Sequence, residues 1–197
     1  MYNVDGDFMK TIKSPVQSEI IIKNSRFITY LFPILDEYFN VNYYLNLVKK
    51  DHPKATHYCY GYIYQDQVKA FDDNEPSGTA GIPILSVLQK GEYSFILAIV
   101  VRYFGGIKLG AGGLVRAYSK ACKTALDTAQ EKELIKGWLL EIKIPYDQQK
   151  DLDYLLKDSK VLSKDFQEMI TYRVRIKKEQ LDQFSSYSYQ IIREEYL

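Results

Sequence analysis

The sequence has few cysteines and no excess of charge of either sign, and each shortage excludes a class of protein. Two cysteines among 197 residues are too few for a disulfide-stabilised scaffold. Cys59 and Cys122 form neither a CxxC pair nor a paired-ligand spacing for zinc. This usage predicts a reducing compartment, the cytoplasm. The formal net charge of +1 gives no global attraction to nucleic acid or an anionic membrane, so any such attraction must be local.

Membrane-type segments are also missing. The longest apolar run, residues 95–101, is much shorter than the roughly 20 residues of a membrane-spanning helix. The first residues, MYNVDGDFMKTIKS, have no basic stretch followed by an apolar one, so we expect no secretion signal. The sequence therefore predicts a soluble cytoplasmic protein without a membrane partner.

The sequence does contain alternating strand and helix patterns over its first two thirds. The near-continuous apolar run at 94–103 predicts a central strand that is covered on both faces. Gly91 is expected to end the helix before it, and Pro83 is tolerated only in that helix's first turn. The predicted strands are 18–34 (a pair around a turn at 23–25), 57–64 and 94–103; the predicted helices are 37–50 with Asp36 as N-cap, 80–90 and 113–130.

The periodic pattern breaks around residues 130–137, where we place a domain boundary. The predicted domains are 1–132 and 133–197. The second contains a strand, a helix, a strand or bent pair, a second helix and a last strand, at 138–145, 146–158, 166–177, 179–187 and 188–193. This order fits a small ferredoxin-like domain, so we predict an α+β protein of two-layer α/β domains.

A glycine-rich loop joins the central strand to the helix after it. Glycine lets the backbone adopt positive φ and approach a ligand closely, and a loop before a helix N-terminus can present N–H groups to an anion. The segment is neither a P-loop nor a complete dinucleotide-binding fingerprint. A tight turn with close packing is the alternative. The loop glycines are Gly105, Gly106, Gly110, Gly112 and Gly113.

The same region is locally basic. No acid occurs between Glu92 and Asp127, and the last three cations in this window follow a helical i, i+4, i+7 spacing. A basic face opposite a buried stripe of Leu114, Ala117, Ala121 and Ala125 suits phosphate binding, although a solvated face would have the same pattern. Tyr103 and Phe104 are adjacent aromatics that could stack on bases, but we favour core packing for them. The window's cations are Arg102, Lys108, Arg116, Lys120 and Lys123.

Two further groups of polar residues are candidates for chemistry. Three clustered carboxylates could hold Mg²⁺ or cap the next helix, with Ser77 or Thr79 as N-cap; we favour capping. His57 and Cys59 point to one face of a strand, where a nucleophile pair is conceivable but a buried thiol beside a hydrogen-bonded histidine is favoured. We therefore predict no catalytic residue, metal or cofactor. We keep a polar site of His57, Asp72, Asp73, Glu75, Ser77 and Thr79.

Four segments together resemble the IMPACT family, and they cover about residues 15–130 in matching order. The remainder resembles the small C-terminal domain of bacterial two-domain members. Where the family usually has glycine after the paired aspartates, this chain has Asn74, which tolerates the left-handed conformation. The segments are SEIIIKNSRFI (18–28), HPKATHYCYGY (52–62), DDNEPSGTAGIPIL (72–85) and VRYFGGIKLGAGGLVRAYSKA (101–121).

The resemblance implies both a fold and a function. The first domain should be like the second domain of a small-subunit ribosomal protein, with a left-handed βαβ unit, and the second like the last domain of elongation factor G. Eukaryotic relatives regulate translation by competing for the activator of a starvation-sensing kinase. We expect a non-enzymatic, translation-associated protein that binds RNA or the ribosome. The alternatives are a magnesium-dependent enzyme acting on a phosphorylated small molecule, and a protein-binding adaptor in stress regulation of translation.

Overall fold

The computed structural model describes residues 8–35 and 38–197, so the predicted N-cap Asp36 lies outside the described residues. Over this range the chain divides into two compact units, Met9–Glu133 and Leu134–Leu197, and Phe8 groups with the second. Both are mixed units with antiparallel sheets, which agrees with the α+β class predicted from the sequence. None of the described helices is long and apolar enough to cross a membrane.

The first unit is built on a five-stranded sheet with the strand order β2-β3-β6-β4-β5. Every neighbouring pair in this sheet is antiparallel. Two strands, β1 and β5, were not predicted from the sequence. The elements are β1 (Phe8–Ile12), β2 (Val16–Ile22), β3 (Ser25–Pro33), α1 (Val41–Asp51), β4 (His57–Tyr64), β5 (Gln67–Phe71), α2 (Gly81–Lys90), β6 (Ile96–Tyr103) and α3 (Ala111–Leu126).

The central strand β6 is covered on both faces, as its apolar sequence predicts. Residues 96–101 have no exposed surface. Helices α2 and α3 pack on one face, where alternate β6 side chains join a core with buried residues of both helices. On the other face, Phe32 of β3 packs on Tyr44 of α1 with ring centroids 4.9 Å apart. The unit therefore has a third layer, α1, which corrects the two-layer expectation.

Helix ends follow local chemistry. Helix α1 begins at Val41 rather than near residue 37, because Asn40 extends its backbone and accepts a hydrogen bond from the Asn42 N–H at 3.0 Å. Helix α2 ends at Gly91, as predicted. A Cβ at Gly61 of β4 would lie 2.9 Å from the backbone nitrogen of Leu85, so this glycine permits close packing of α2 on the sheet.

In the second unit, β10, β7, β9 and β8 form neighbouring antiparallel pairs in that order. They belong to a five-stranded sheet that also includes β1. Its core is formed by alternate residues of β7 and β9 together with Leu152, Leu156 and Phe184. The elements are β7 (Glu131–Ile144), a 3-10 turn (Tyr146–Gln148), α4 (Gln149–Leu155), β8 (Lys160–Phe166), β9 (Ile170–Lys177), a second 3-10 turn (Lys178–Phe184) and β10 (Ser188–Tyr196).

Three sequence predictions need correction in this unit. The strand β8 was largely missed; the segment 166–177, predicted as a strand or bent pair, is the last residue of β8 followed by β9. The helix predicted over 146–158 is a 3-10 turn and a seven-residue α-helix. The second predicted helix is a 3-10 segment. Strand β8 alternates partly buried and exposed residues only up to Ser163, which leaves a weak period-two signal.

Candidate functional site

A buried polar cluster lies where β6 ends, and Glu75 is at its centre. The Arg102 Nη1 atom is 2.5 Å from Glu75 Oε1, and the side chains are only 5% and 4% exposed. Tyr118 of α3 donates its hydroxyl hydrogen to the same oxygen at 2.7 Å. His57 Nε2 lies 3.8 Å from it. The sheet register sets this geometry because His57 of β4 pairs directly with Arg102 of β6.

The tautomer of His57 follows from its partner. His57 Nδ1 lies 2.7 Å from the carbonyl oxygen of Asp73, which can only accept, so Nδ1 carries a hydrogen. Nε2 is then the ring nitrogen that is turned toward Glu75. The structure thus brings two residues of the predicted polar site together. Sequence reasoning missed their partner Tyr118, which is indistinguishable in the sequence from a core aromatic on the apolar stripe of α3.

The carboxylate of Asp72 caps α2. It accepts hydrogen bonds from the N–H groups of Gly78, Ala80 and Gly81 at 2.8, 3.0 and 2.8 Å. Burial disfavours the charged form, but these three bonds outweigh burial and hold the pKa of Asp72 below its ordinary value. Capping is therefore confirmed as the role of this acid. The cap is Asp72 rather than Ser77 or Thr79; the Thr79 hydroxyl donates to the Pro76 carbonyl oxygen at 2.6 Å.

The other two acids of the cluster are also committed to the fold. Asp73 accepts the Tyr58 N–H at 2.7 Å, and Glu75 holds Arg102. Asn74 has φ of +64°, so it adopts the left-handed conformation expected where the family has glycine. Among the described residues, no group of three or more His, Cys, Asp or Glu side chains could hold a metal ion. The magnesium hypothesis therefore lacks a ligand set in this part of the chain.

Cys59 is buried beside this cluster. Its thiol lies 3.0 Å from the Asp72 carbonyl oxygen and 3.4 Å from the Tyr118 hydroxyl oxygen. Burial raises the pKa of the thiol to about 12, so it is protonated at neutral pH. The interpretation as a buried thiol is therefore supported over that as a nucleophile. Cys122 is also fully buried, and burial raises its pKa to about 12.

The glycines of the loop have different roles. A Cβ at Gly105 would overlap the backbone of Asn24 and Ser25 in the β2–β3 turn, and the Gly105 N–H donates to Ser25 Oγ at 3.2 Å. Gly106 and Gly110 have φ of +83° and +70°, which other residues rarely adopt. Gly110 precedes α3, whose first turn has neither a side-chain cap nor an acid. The first N–H groups of α3 therefore have no partner within the helix.

Four cations surround this loop and helix, and we call them the basic face: Lys108, Arg116, Lys120 and Lys123. All four are exposed, and none forms an ion pair within the described residues, 8–35 and 38–197. The opposite stripe of α3 is buried, as its sequence predicts. Arg102 is the exception among the predicted cations, because it is 4% exposed and bound to Glu75. It is not part of the basic face.

Tyr103 and Phe104 differ in their surroundings. Tyr103 is half-buried, and its hydroxyl oxygen lies 3.0 Å from His52 Nδ1, in agreement with core packing. Phe104 is 48% exposed, so the core-packing interpretation is wrong for this residue. Its N–H donates to Thr56 Oγ1 at 3.1 Å, which holds the backbone while the ring remains at the surface.

Fold and site together define a two-unit α+β protein with a glycine-rich, basic strand–loop–helix beside a buried polar cluster. A family model described as the Impact N-terminal domain matches residues 23–126. The IMPACT family member YvyE of Bacillus subtilis (strain 168) is 36% identical over 90% of this chain and 83% of its own length. The chain belongs to the IMPACT family.

Other comparisons agree. An IMPACT family member of Haemophilus influenzae is 37% identical over 88% of this chain and 87% of its own. YigZ of Escherichia coli (strain K12) is 35% identical over 88% of each chain. A crystal structure of a hypothetical protein superposes with a TM-score of 0.76 at 29% identity, covering 95% of this chain and 98% of that chain.

Proposed function

We propose that this IMPACT family member is a non-enzymatic, translation-associated regulator that binds RNA or the ribosome through the basic face. The observation that carries the proposal is four exposed cations without a carboxylate partner among the described residues, beside an uncapped helix N-terminus. Phosphate groups would neutralise these cations, and the free N–H groups of α3 would add donors.

The basic face differs from several cations elsewhere on the described surface that already have a carboxylate partner. In the second unit, the exposed cations Lys164 and Arg173 have carboxylate oxygens at 2.7 and 3.2 Å. In the first unit, Arg26 pairs with Glu19 at 2.7 Å. A cation that already has a partner must lose it before it binds phosphate, whereas the basic face is available. Lys49 and Lys50 are also exposed and form no ion pair with a described residue, so the lack of a partner does not by itself select the basic face. We favour it because its cations lie along α3 and the glycine loop before it, where the helix N-terminus has no side-chain cap.

The fold-level part of the proposal follows the strand order. In the first unit, β3 and β4 are both antiparallel to β6, so they run parallel to each other and α1 connects them. This supports a βαβ unit and a fold like that of the small-subunit ribosomal protein. The order β10-β7-β9-β8 supports a ferredoxin-like second unit. A regulator of translation with reduced cysteines would act in the cytoplasm, alongside stress signalling in the way its eukaryotic relatives do.

Fluorescence anisotropy with short labelled RNA, at low and moderate salt, tests the proposal. The wild-type protein should bind with an affinity that falls steeply with salt, and Arg116→Glu/Lys120→Glu should weaken binding by at least about tenfold. Lys49→Glu/Lys50→Glu is the matched control, since it reverses two exposed charges on α1 of the same unit. Equal binding by wild type and the α3 variant would contradict the proposed surface.

An enzyme acting on a phosphorylated small molecule is the second candidate. It is supported by His57, whose Nε2 lies 3.8 Å from the buried carboxylate of Glu75. A thermal-shift screen of phosphorylated metabolites, with and without Mg²⁺, would test it. A compound that stabilises wild type but not His57→Gln would favour this candidate over the first.

A further inference from the structure

Phe104 is a large aromatic residue at the surface of the glycine loop. Phe104 is 48% exposed, although residues 96–101 of the strand before it have no exposed surface. The guanidinium carbon of Arg102 lies over this ring, 5.5 Å from the ring centroid. The ring therefore has one face supported by the protein and substantial surface left for another flat group.

The support behind the ring is rigid. Arg102 is bound to Glu75, and its guanidinium carbon also lies 5.5 Å from the centroid of Phe27, a fully buried residue. A hydrogen bond from the Phe104 N–H to Thr56 Oγ1 fixes the backbone at the same point. An aromatic ring that is held in place before binding loses little conformational entropy when a ligand stacks on it.

A guanidinium on one face of a ring suits stacking on the other. The cation is attracted by the electron density of the ring, and an electron-rich nucleobase can then stack on the open face. From Phe104 the chain passes through Lys108 to α3, so the exposed ring and the cations of the basic face lie on consecutive parts of the chain. Bases in a duplex are already stacked on each other, whereas a single strand can offer a base to a protein ring.

We infer that the ligand of the basic face is single-stranded nucleic acid and that one of its bases stacks on Phe104. The inference rests on the proposed function, because the phosphates of the same strand would lie on Lys108 and the cations of α3. Stacking on a carbon-only ring offers no hydrogen bonds, so the interaction discriminates among bases only weakly.

Anisotropy with four probes of equal length tests the inference: single-stranded RNA, single-stranded DNA, duplex RNA and an abasic DNA strand. The single strands should bind at least about tenfold more tightly than the duplex and the abasic strand. Phe104→Leu should reduce single-strand affinity about tenfold, and Phe104→Trp should preserve or increase it. Phe166→Ala, which removes a 55% exposed phenylalanine in the second unit, should change nothing.

The outcomes separate this inference from the proposed function. Stacking is refuted if the wild-type protein binds the abasic strand as tightly as single-stranded DNA, and if Phe104→Leu binds single strands as tightly as wild type does. If Arg116→Glu/Lys120→Glu alone then weakens binding, the strand is held by its phosphates. Tighter binding to the duplex would refute it equally. If no probe binds at low salt, the proposed function is wrong, and this inference is refuted with it. Circular dichroism of each variant confirms that the fold is retained.

Discussion

Arg102 and Glu75, which are 27 residues apart in the sequence, form a buried ion pair with a nitrogen–oxygen distance of 2.5 Å. The pair joins the loop before α2 to the end of β6. Through Tyr118 it also reaches α3. Two long segments that characterise the family are therefore connected at one carboxylate.

Removing one member of this pair should be costly because a buried charge would be left without its partner. We expect Arg102→Met to lower the free energy of unfolding by about 3–5 kcal/mol in urea titrations. The double variant Arg102→Met/Glu75→Gln should recover part of that loss. Arg26→Met is the control, since its pair with Glu19 is exposed to solvent and should contribute much less to stability. Equal losses in the two single variants would contradict a special role for the buried pair.

Substitutions in the glycine loop should separate packing from backbone conformation. Gly105→Ala places a Cβ against the backbone of Asn24 and Ser25, so we expect it to destabilise the fold by more than about 2 kcal/mol. Gly106→Ala has open space around the new methyl and only the penalty of positive φ, about 1 kcal/mol. Urea unfolding of both variants measures the difference. The reverse order of stability would show that the close approach of the turn is not maintained in solution.

The cap of α2 should make stability depend on pH. The pKa of Asp72 is lowered in the folded state, so its charge stabilises the fold above the ordinary value near 3.8, and the effect is lost as pH falls toward the lowered value. At pH 7, Asp72→Ala should cost about 1–2 kcal/mol. Urea titrations of wild type and variant from pH 7 to pH 3 should show the two curves converging on the acid side. A constant difference would contradict the charged cap.

Neither cysteine should react in the folded protein. Burial raises the pKa of Cys59 and of Cys122 to about 12, so thiolate is scarce at pH 8 and both sulfurs are enclosed. Mass spectrometry after iodoacetamide treatment at pH 8 should find no alkylation in buffer and two modified cysteines in urea. Rapid modification of Cys59 in buffer would revive the nucleophile hypothesis.

The salt dependence of RNA binding should count the cations involved. Four contacts with a single strand predict a slope of log affinity against log salt of about −3, since each contact contributes about −0.7. Arg116→Glu/Lys120→Glu should make the slope about −1.5 or less steep. Lys49→Glu/Lys50→Glu should retain the wild-type slope. An unchanged slope in the α3 variant would place the contacts on other residues.

Much of the first unit could be predicted from local patterns. The strand at His57–Tyr64, the buried β6 and the apolar stripe of α3 all follow from periodicity and from glycine and proline positions. The second unit was harder because its helical segments are short and β8 has only a brief alternation of burial. Short elements are stabilised by tertiary contacts more than by their own propensities, and those contacts do not appear in a sequence pattern.

The sequence predicted most residues of the site but not which of them contact each other. Arg102 looked like one more cation of the basic window, and only the register of β4 with β6 shows that it faces His57 and Glu75 inside the fold. Phe104 looked like a continuation of the buried strand. It follows Tyr103, the last residue of β6 that pairs with β3, and its side chain lies at the surface. Sequence spacing indicates which residues share a helix face, but it carries no information about which loop crosses a strand end.

The central position of β6 also determines when this unit can form during synthesis. β3 and β4 both depend on β6 for half of their backbone hydrogen bonds, yet β6 is made more than thirty residues after β4 begins. Contacts that are distant in sequence slow folding, and unpaired strand edges invite aggregation in the meantime. A nascent chain that ends before Ile96 would expose the edges of β3 and β4 that pair with β6. The first unit can therefore complete its folding only after β6 has left the ribosome.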